Sequence, residues 1–145
     1  MAKGAGRRSA VRRRAERAGF RSALEQRFSL KHPELLFEPE SFPYCHEYKI
    51  IKALDGTVLE EKRITRTYTP DFVSADGTTW YELKGALDAA DRKKMRAVRA
   101  SYPNQRIIMV FQRATNRITK AAKSKTYAQW AEWAGLEWQS ATRMD

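Results

Sequence analysis

With one cysteine in 145 residues the chain has no internal disulfide to staple its fold, and a reducing compartment is the expected setting. Histidine is almost as scarce. Cys45, His46 and His32 are too few and too poorly spaced for a structural zinc site, so they read as packing or surface residues. No apolar run approaches a membrane span, and the Arg-rich N-terminus lacks the apolar stretch of a secretory signal. An intracellular, cytoplasmic protein without a membrane partner is therefore expected. There is no zinc finger or other motif that reads a DNA groove, no internal repeat, and no low-complexity stretch beyond the first residues. Acidic residues are also in short supply, at 17 against 28 lysines and arginines, which leaves a net charge of +11.

What is present is enough for one folded domain. Hydrophobic residues make up 42% of the chain, with four Trp and six Phe, and the length suits a single core. The excess charge is unevenly placed. Residues 1–21 carry eight basic residues (Lys3, Arg7, Arg8, Arg12, Arg13, Arg14, Arg17 and Arg21) against Glu16 alone, and so hold +7 of the +11. Such an arm gains from counterion release on phosphates, which implies a nucleic-acid partner and salt-sensitive binding. A solubilising tail or an Arg-rich targeting peptide has the same composition. The expected organisation is a basic DNA-binding arm over residues 1–19 and a folded domain over 20–145. Contacts of this kind position a protein without specifying sequence.

The pattern along the chain predicts a mixed α/β domain. Ala18 to Ser29 carries Phe20, Leu24 and Phe28 on one helical face, with Glu25 at its boundary. Glu25 can project towards neighbouring strands, but Ser22-x-x-Glu25 also fits a capping box in which Glu25 reaches back to the backbone. Leu35 to Tyr44, with Pro39 and Pro43, reads as an edge strand. Tyr48 to Leu59 reads as a hairpin that turns at Asp55-Gly56. A further hairpin is predicted from Arg63–Phe72 and Thr79–Lys84, turning at Ala75-Asp-Gly-Thr78. Ala89 to Ser101 is a helix that opens on Asp91-Arg92-Lys93-Lys94. Arg106 to Phe111 is an apolar strand buried on both faces. Thr126 to Ala134 is a short helix with Tyr127, Trp130 and Ala131 inward, and Leu136-Glu-Trp138 a short strand. Trp130, Trp133 and Trp138 read as core or edge packing rather than base-stacking platforms.

The residues that carry chemistry lie on the predicted hairpin. Pro70-Asp71 is followed after ten residues by Glu82-Leu83-Lys84. Alternation along a strand puts Glu82 and Lys84 on one face, and Asp71 at the end of the facing strand can approach Glu82. Two converging carboxylates repel unless a divalent cation lies between them, and magnesium prefers hard oxygen ligands. Lys84 adds positive charge where a scissile phosphate would lie. The same residues are compatible with an exposed cross-strand ion pair and a strand-end turn.

Four blocks in this order carry a more specific signal: Phe20-Arg-Ser-Ala-Leu-Glu25, Tyr68-Thr-Pro-Asp-Phe72, Tyr81-Glu-Leu-Lys-Gly85 and Asp91-Arg-Lys-Lys94. Together they resemble the phage endonuclease I family, whose members resolve four-way (Holliday) DNA junctions with a PD-(D/E)xK nuclease core and tend to carry a basic N-terminal arm. The resemblance runs from about Phe20 to Phe111, with a weaker echo in the final helix. It implies a central mixed sheet flanked by helices, in a strand-exchanged homodimer acting on DNA in the host cytoplasm. The implied catalytic set is Glu25, Asp71, Glu82 and Lys84. Asp71, Glu82 and the carbonyl of Leu83 would hold one Mg²⁺, Glu25 would help with a second, and Mn²⁺ would substitute. Arg7, Arg8, Arg12, Arg13, Arg14, Arg17, Arg21, Arg92, Lys93 and Lys94 are the candidate DNA-binding residues.

The resemblance also implies that Glu25 belongs to the site rather than to a cap. In the family the helix acid of one chain completes the other chain's site, through an exchanged strand. This chain inserts the Asp55-Gly56 region into that connection, which bears on the shape of the bridge. Two other functions fit the residues: a nuclease of the same core that cuts linear, flap or mismatched DNA, and a non-catalytic basic DNA-binding protein.

Overall fold

A computed structural model of the chain describes residues 22–141. The basic arm, with Arg7, Arg8, Arg12, Arg13, Arg14, Arg17 and Arg21, lies outside the described residues. Three helices and seven strands follow within them: α1 (Ala23–Lys31), β1 (Leu36–Phe37), β2 (Phe42–Lys52), β3 (Val58–Tyr68), β4 (Phe72–Val73), β5 (Thr79–Lys84), α2 (Ala89–Ser101), β6 (Arg106–Phe111), α3 (Tyr127–Trp133) and β7 (Glu137–Ser140).

Local chemistry sets the helix ends. The Ser22 hydroxyl accepts from the Glu25 N–H at 3.1 Å and starts α1. Asp88 and Asp91 form a reciprocal capping box at the start of α2, as Thr126 and Gln129 do for α3. Gly135, at φ 78°, takes the left-handed position after α3. Its N–H bonds the Glu132 carbonyl at 3.1 Å while that of Leu136 bonds the Ala131 carbonyl at 2.8 Å, which closes the helix in a Schellman turn.

Five strands form one mixed sheet in the order β1-β4-β5-β6-β7. The β1, β4 and β5 neighbours are antiparallel, whereas β5, β6 and β7 run parallel and need crossovers, which α2 and α3 supply. Both crossing helices cover one face. Met95 and Val98 of α2 and Trp130 and Ala131 of α3 pack there with Trp80, Ile107, Met109 and Phe111. On the other face Phe28 of α1 packs with Phe72, Leu83, Ile108 and Val110. The run Arg106–Phe111 is thus buried on both faces, as a central parallel strand should be.

The mixed α/β architecture agrees with expectation, as do the bounds of α2 and β6, while the partners of the middle strands differ. Arg63–Tyr68 does not pair with Thr79–Lys84. It forms the second half of β3, which pairs with β2 from Phe42↔Tyr68 to Lys52↔Val58 as a separate two-stranded ribbon. Only Phe72↔Tyr81 and Val73↔Trp80 join β4 to β5. Alternation identified Arg63–Tyr68 as strand but not its partner. The Asp55-Gly56 turn, with Gly56 at φ 88°, closes the β2–β3 pair at small loop entropy, and Pro70 offers no N–H to continue β3 into β4. The expected edge strand from Leu35 to Tyr44 is also divided, at Glu38 (φ 43°) and Pro39, into β1 and the start of β2.

Candidate active site

Alternation along β5 sends Trp80, Glu82 and Lys84 towards α2, and Tyr81 and Leu83 towards α1. Asp71 sits just before β4, joined to β5 at two points. Its N–H donates to the Tyr81 carbonyl at 3.1 Å, and its Oδ2 accepts from the Leu83 N–H at 2.8 Å. Both acids are buried, at 3% exposure for Asp71 and 4% for Glu82. Tyr68, the last residue of β3, donates its hydroxyl to Glu82 Oε1 at 2.8 Å. On the other side Lys84 Nζ lies 3.4 Å from Glu82 Oε2 and 3.0 Å from Asp91 Oδ1.

Asp71, Glu82 and Lys84 line a pocket of about 300 Å³ together with Glu25, Thr67, Thr69, Leu83 and Lys94. The sequence-predicted Glu25, Asp71, Glu82, Leu83, Lys84 and Lys94 are therefore brought to one place. Glu25 is itself buried on α1. Ser22 caps the Glu25 backbone N–H, while the Glu25 side chain lines the pocket. Arg92 and Lys93 point elsewhere: Arg92 Nη1 donates to the Leu87 carbonyl at 2.9 Å, and Lys93 Nζ pairs with Glu47 at 3.2 Å.

Burial, and after it the neighbouring Asp71 carboxylate, push the Glu82 carboxyl up from 4.5 to about 7. Two acids this close and this dry resist ionising together. Burial alone would pull Lys84 down, but Glu82 and Asp91 outweigh it and hold the ammonium above its ordinary range. Lys84 is thus a cation at neutral pH. Burial and the Glu82 charge raise Tyr68 well above the usual phenol value, so it remains a hydrogen-bond donor.

The donor chemistry suits a hard divalent cation. Among the described residues no three His, Cys, Asp or Glu side chains cluster tightly enough to hold an ion by themselves, so Asp71 and Glu82 require a further oxygen. Leu83 offers one. The N–H and C=O of a strand residue point to the same edge, and the Leu83 N–H already bonds Asp71, so its carbonyl faces that edge as well. Two carboxylates, a carbonyl and water form an oxygen set of the kind that Mg²⁺ takes.

Sequence reasoning missed two residues here. Asp91 was read only as the start of a basic helix, although Asp88-x-x-Asp91 is a capping pattern; its reach to Lys84 depends on how α2 crosses the sheet. Tyr68 has no local pattern that gives it a role, because the end of β3 approaches β5 only in three dimensions.

A family model described as phage endonuclease I matches residues 5–142. "Endodeoxyribonuclease 1" of Enterobacteria phage T3 is 35% identical over 69 residues, which cover 48% of this chain and 44% of that protein. "Endonuclease I" of Escherichia phage T7 is 29% identical over 120 residues, 81% of this chain and 70% of that protein. The chain therefore spans less than half the length of the T3 relative and somewhat more than two thirds of the T7 one.

Proposed function

The chain belongs to the phage endonuclease I family, and on that footing we propose that it is a structure-selective endodeoxyribonuclease, resolving four-way and branched DNA junctions by paired metal-dependent nicks. The observation that carries this reading is the convergence of Glu25, Asp71, Glu82 and Lys84 on one polar pocket. The first three come from α1, the turn before β4, and β5, which are separate in sequence. A protein that only bound DNA would not need to bury carboxylates where phosphate must come.

Asp71, Glu82 and the Leu83 carbonyl would hold one Mg²⁺, with Glu25 contributing to a second and Mn²⁺ serving in its place. Such ions, when bound, supply a water of lowered pKa and charge neutralisation at the phosphate. The protein's own groups do the rest. Tyr68 fixes one oxygen of Glu82 and directs the other towards Lys84. Asp91 holds the Lys84 ammonium at the pocket wall, where it donates hydrogen bonds to a phosphoryl oxygen and stabilises the negative charge that builds up in the transition state. As a firm cation, Lys84 acts by charge and orientation rather than as a base. Lys94 adds a second positive group to the same wall.

Asp71 just before β4, Glu82 on β5, the parallel β6 beside it and the helix carrying Glu25 are the parts that a PD-(D/E)xK core would have. A four-way junction has two-fold symmetry and needs two nicks, so a homodimer with two sites is the matching assembly. The ribbon supports it. Ile50, Ile51, Val58 and Leu59 of β2 and β3 and Leu54 of the turn between them are exposed, and a lone two-stranded ribbon is marginal in water. Positive φ at Glu38, followed by Pro39, falls in the short link between α1–β1 and the ribbon, where a hinge for exchange would lie. In an exchanged dimer Glu25 would make in the partner's pocket the contacts that it makes here within one chain. The host cytoplasm is the matching location for such an enzyme.

Cleavage of a four-way junction and of a linear duplex of the same sequence, with Mg²⁺, tests the proposal. The junction is expected to be cut about a hundredfold faster, a difference of roughly 3 kcal/mol in transition-state stabilisation. Equal rates would remove the junction claim and leave a general nuclease.

A further inference from the structure

Helix α2 has chemistry on both flanks. Lys94 lines the acidic pocket and Asp91 pairs with its Lys84, while Arg96, two residues and about 200° further round the helix than Lys94, lines a groove on the other side. On that far side a groove of about 540 Å³ runs between α2 and α3, lined by Arg92, Lys93, Arg96, Trp130 and Trp133. No carboxylate is among its lining residues. Trp130 is buried, but Trp133, one turn on, is 57% exposed. Two cations converge on its ring: the Arg96 guanidinium at 4.8 Å and the Lys125 ammonium at 5.7 Å from the centroid. Glu47 offsets the charge of Lys93 at 3.2 Å, and Glu132 accepts from the Trp138 indole at 2.9 Å. Arg96 and Lys125 have no salt-bridge partner within 4.0 Å among the described residues.

We propose that this groove is a second DNA-contact surface, which holds the duplex arm leading away from the cleavage pocket; the inference rests on the nuclease reading above. Like charges gathered around one exposed indole repel each other in the free protein, and a polyanion would offset that cost. Duplex DNA fits by charge and by size. The two sites are separated by the width of one helix, about 10–12 Å, which is about three base-pair steps along a duplex. One backbone crossing α2 would therefore meet both. Arg96, Lys125 and Arg92 would take successive phosphates, and the Trp133 face would pack against a sugar. Such contacts position an arm without reading its sequence.

The test uses the full chain with Ca²⁺ in place of Mg²⁺, so that binding is read without cutting. Binding of a long-armed four-way junction is followed by fluorescence anisotropy from low to moderate salt. For Arg96→Ala with Lys125→Ala, both exposed positions, affinity should fall about tenfold, and the slope of log K against log salt should flatten by about 2. The charge-conserving pair Arg96→Lys with Lys125→Arg should keep the slope. A junction whose arms are trimmed to end at the cleavage pocket should abolish the difference between the two variants.

An unchanged slope in the alanine pair, with junction cleavage by the unaltered protein intact, would overturn the groove and leave the nuclease reading standing. Tight binding with the expected slope change but no cleavage under Mg²⁺ would do the reverse. If the unaltered protein failed to bind DNA at all, both would fall.

Discussion

The five-stranded body and the two-stranded ribbon are built from similar residues to opposite effect. In the body, buried hydrogen bonds and ion pairs hold the pocket groups, one of them coming from Tyr68 at the base of the ribbon. Asp71 is bonded to β5 at two points, Glu82 is held by Tyr68, and Lys84 is held by Asp91. In the ribbon, Ile50, Ile51, Leu54, Val58 and Leu59 face solvent, and only the end near Phe42 to Glu47 rests on α2, through Ser101, Tyr102 and Lys93. The body gathers the polar groups of the pocket, whereas the ribbon leaves apolar side chains exposed to solvent. The difference teaches that catalysis and junction choice should be separable: changes in the body should abolish cutting and spare assembly, and changes in the exposed outer half of the ribbon, away from Thr67 and Tyr68, should do the opposite.

Replacing Glu82 with Ala in the body should have the largest effect. Cleavage of a four-way junction should drop by about a thousandfold or more, since a cation ligand and the partner of Lys84 are both lost. Junction affinity should stay within a few fold. A gel assay for nicking beside a binding titration checks both, and equal loss of the two would erase the distinction between body and ribbon.

The next effect is on stability. Glu82 titrates near 4.5 in the unfolded chain and near 7 in the folded protein, so between these values the fold binds a proton that the unfolded chain does not. Metal-free protein should therefore lose stability as pH rises from about 4.5 to about 7, by at most about 3 kcal/mol from this group. Glu82→Gln should lack this loss, so its melting temperature in EDTA should exceed that of the unaltered protein at pH 8 by more than at pH 5. A cation that requires the ionised form should reverse the trend.

Changing Ile51 and Leu59 of the ribbon to Ser should shift the protein from dimer towards monomer in sedimentation. It should also lower the junction-to-linear cleavage ratio by about tenfold, the loss of roughly 1.4 kcal/mol of discrimination, without reducing nicks on linear DNA. A dimer unaffected by these changes would mean that the exposed residues serve something other than assembly.

Asp91→Asn should have the smallest effect, lowering cleavage by about tenfold, as expected of a residue that orients a catalytic one. The amide can still accept in the helix cap, so melting should change little. The alkaline limb of the pH–rate profile should move to lower pH, because Lys84 loses a carboxylate that holds its proton. An unmoved limb would confine Asp91 to capping.

Legibility in the sequence followed the range of the forces involved. Helix α2 and strand β6 could be read because their periodicity is local and strong, and Glu82 and Lys84 because strand alternation fixes which side chains share a face, whereas Asp71 reaches them from the turn before β4. Pairing partners were harder. Arg63–Tyr68 alternates equally well whether it joins β2 or β5, and the Asp55-Gly56 turn decided for β2. Glu25 could be placed by family resemblance but not by spacing, since Ser22 caps its N–H while its side chain is buried in the pocket. Tyr68 and Asp91 were out of reach because each acts across elements whose packing no local pattern encodes.

The most direct test is a crystal structure of the protein soaked in Mn²⁺, with anomalous diffraction to locate the ion. A peak between the Asp71 and Glu82 carboxylates, within bonding distance of the Leu83 carbonyl, is the predicted result, and the same map would show which chain supplies Glu25. Absence of a peak there, at a Mn²⁺ concentration that supports cleavage in solution, would contradict the account.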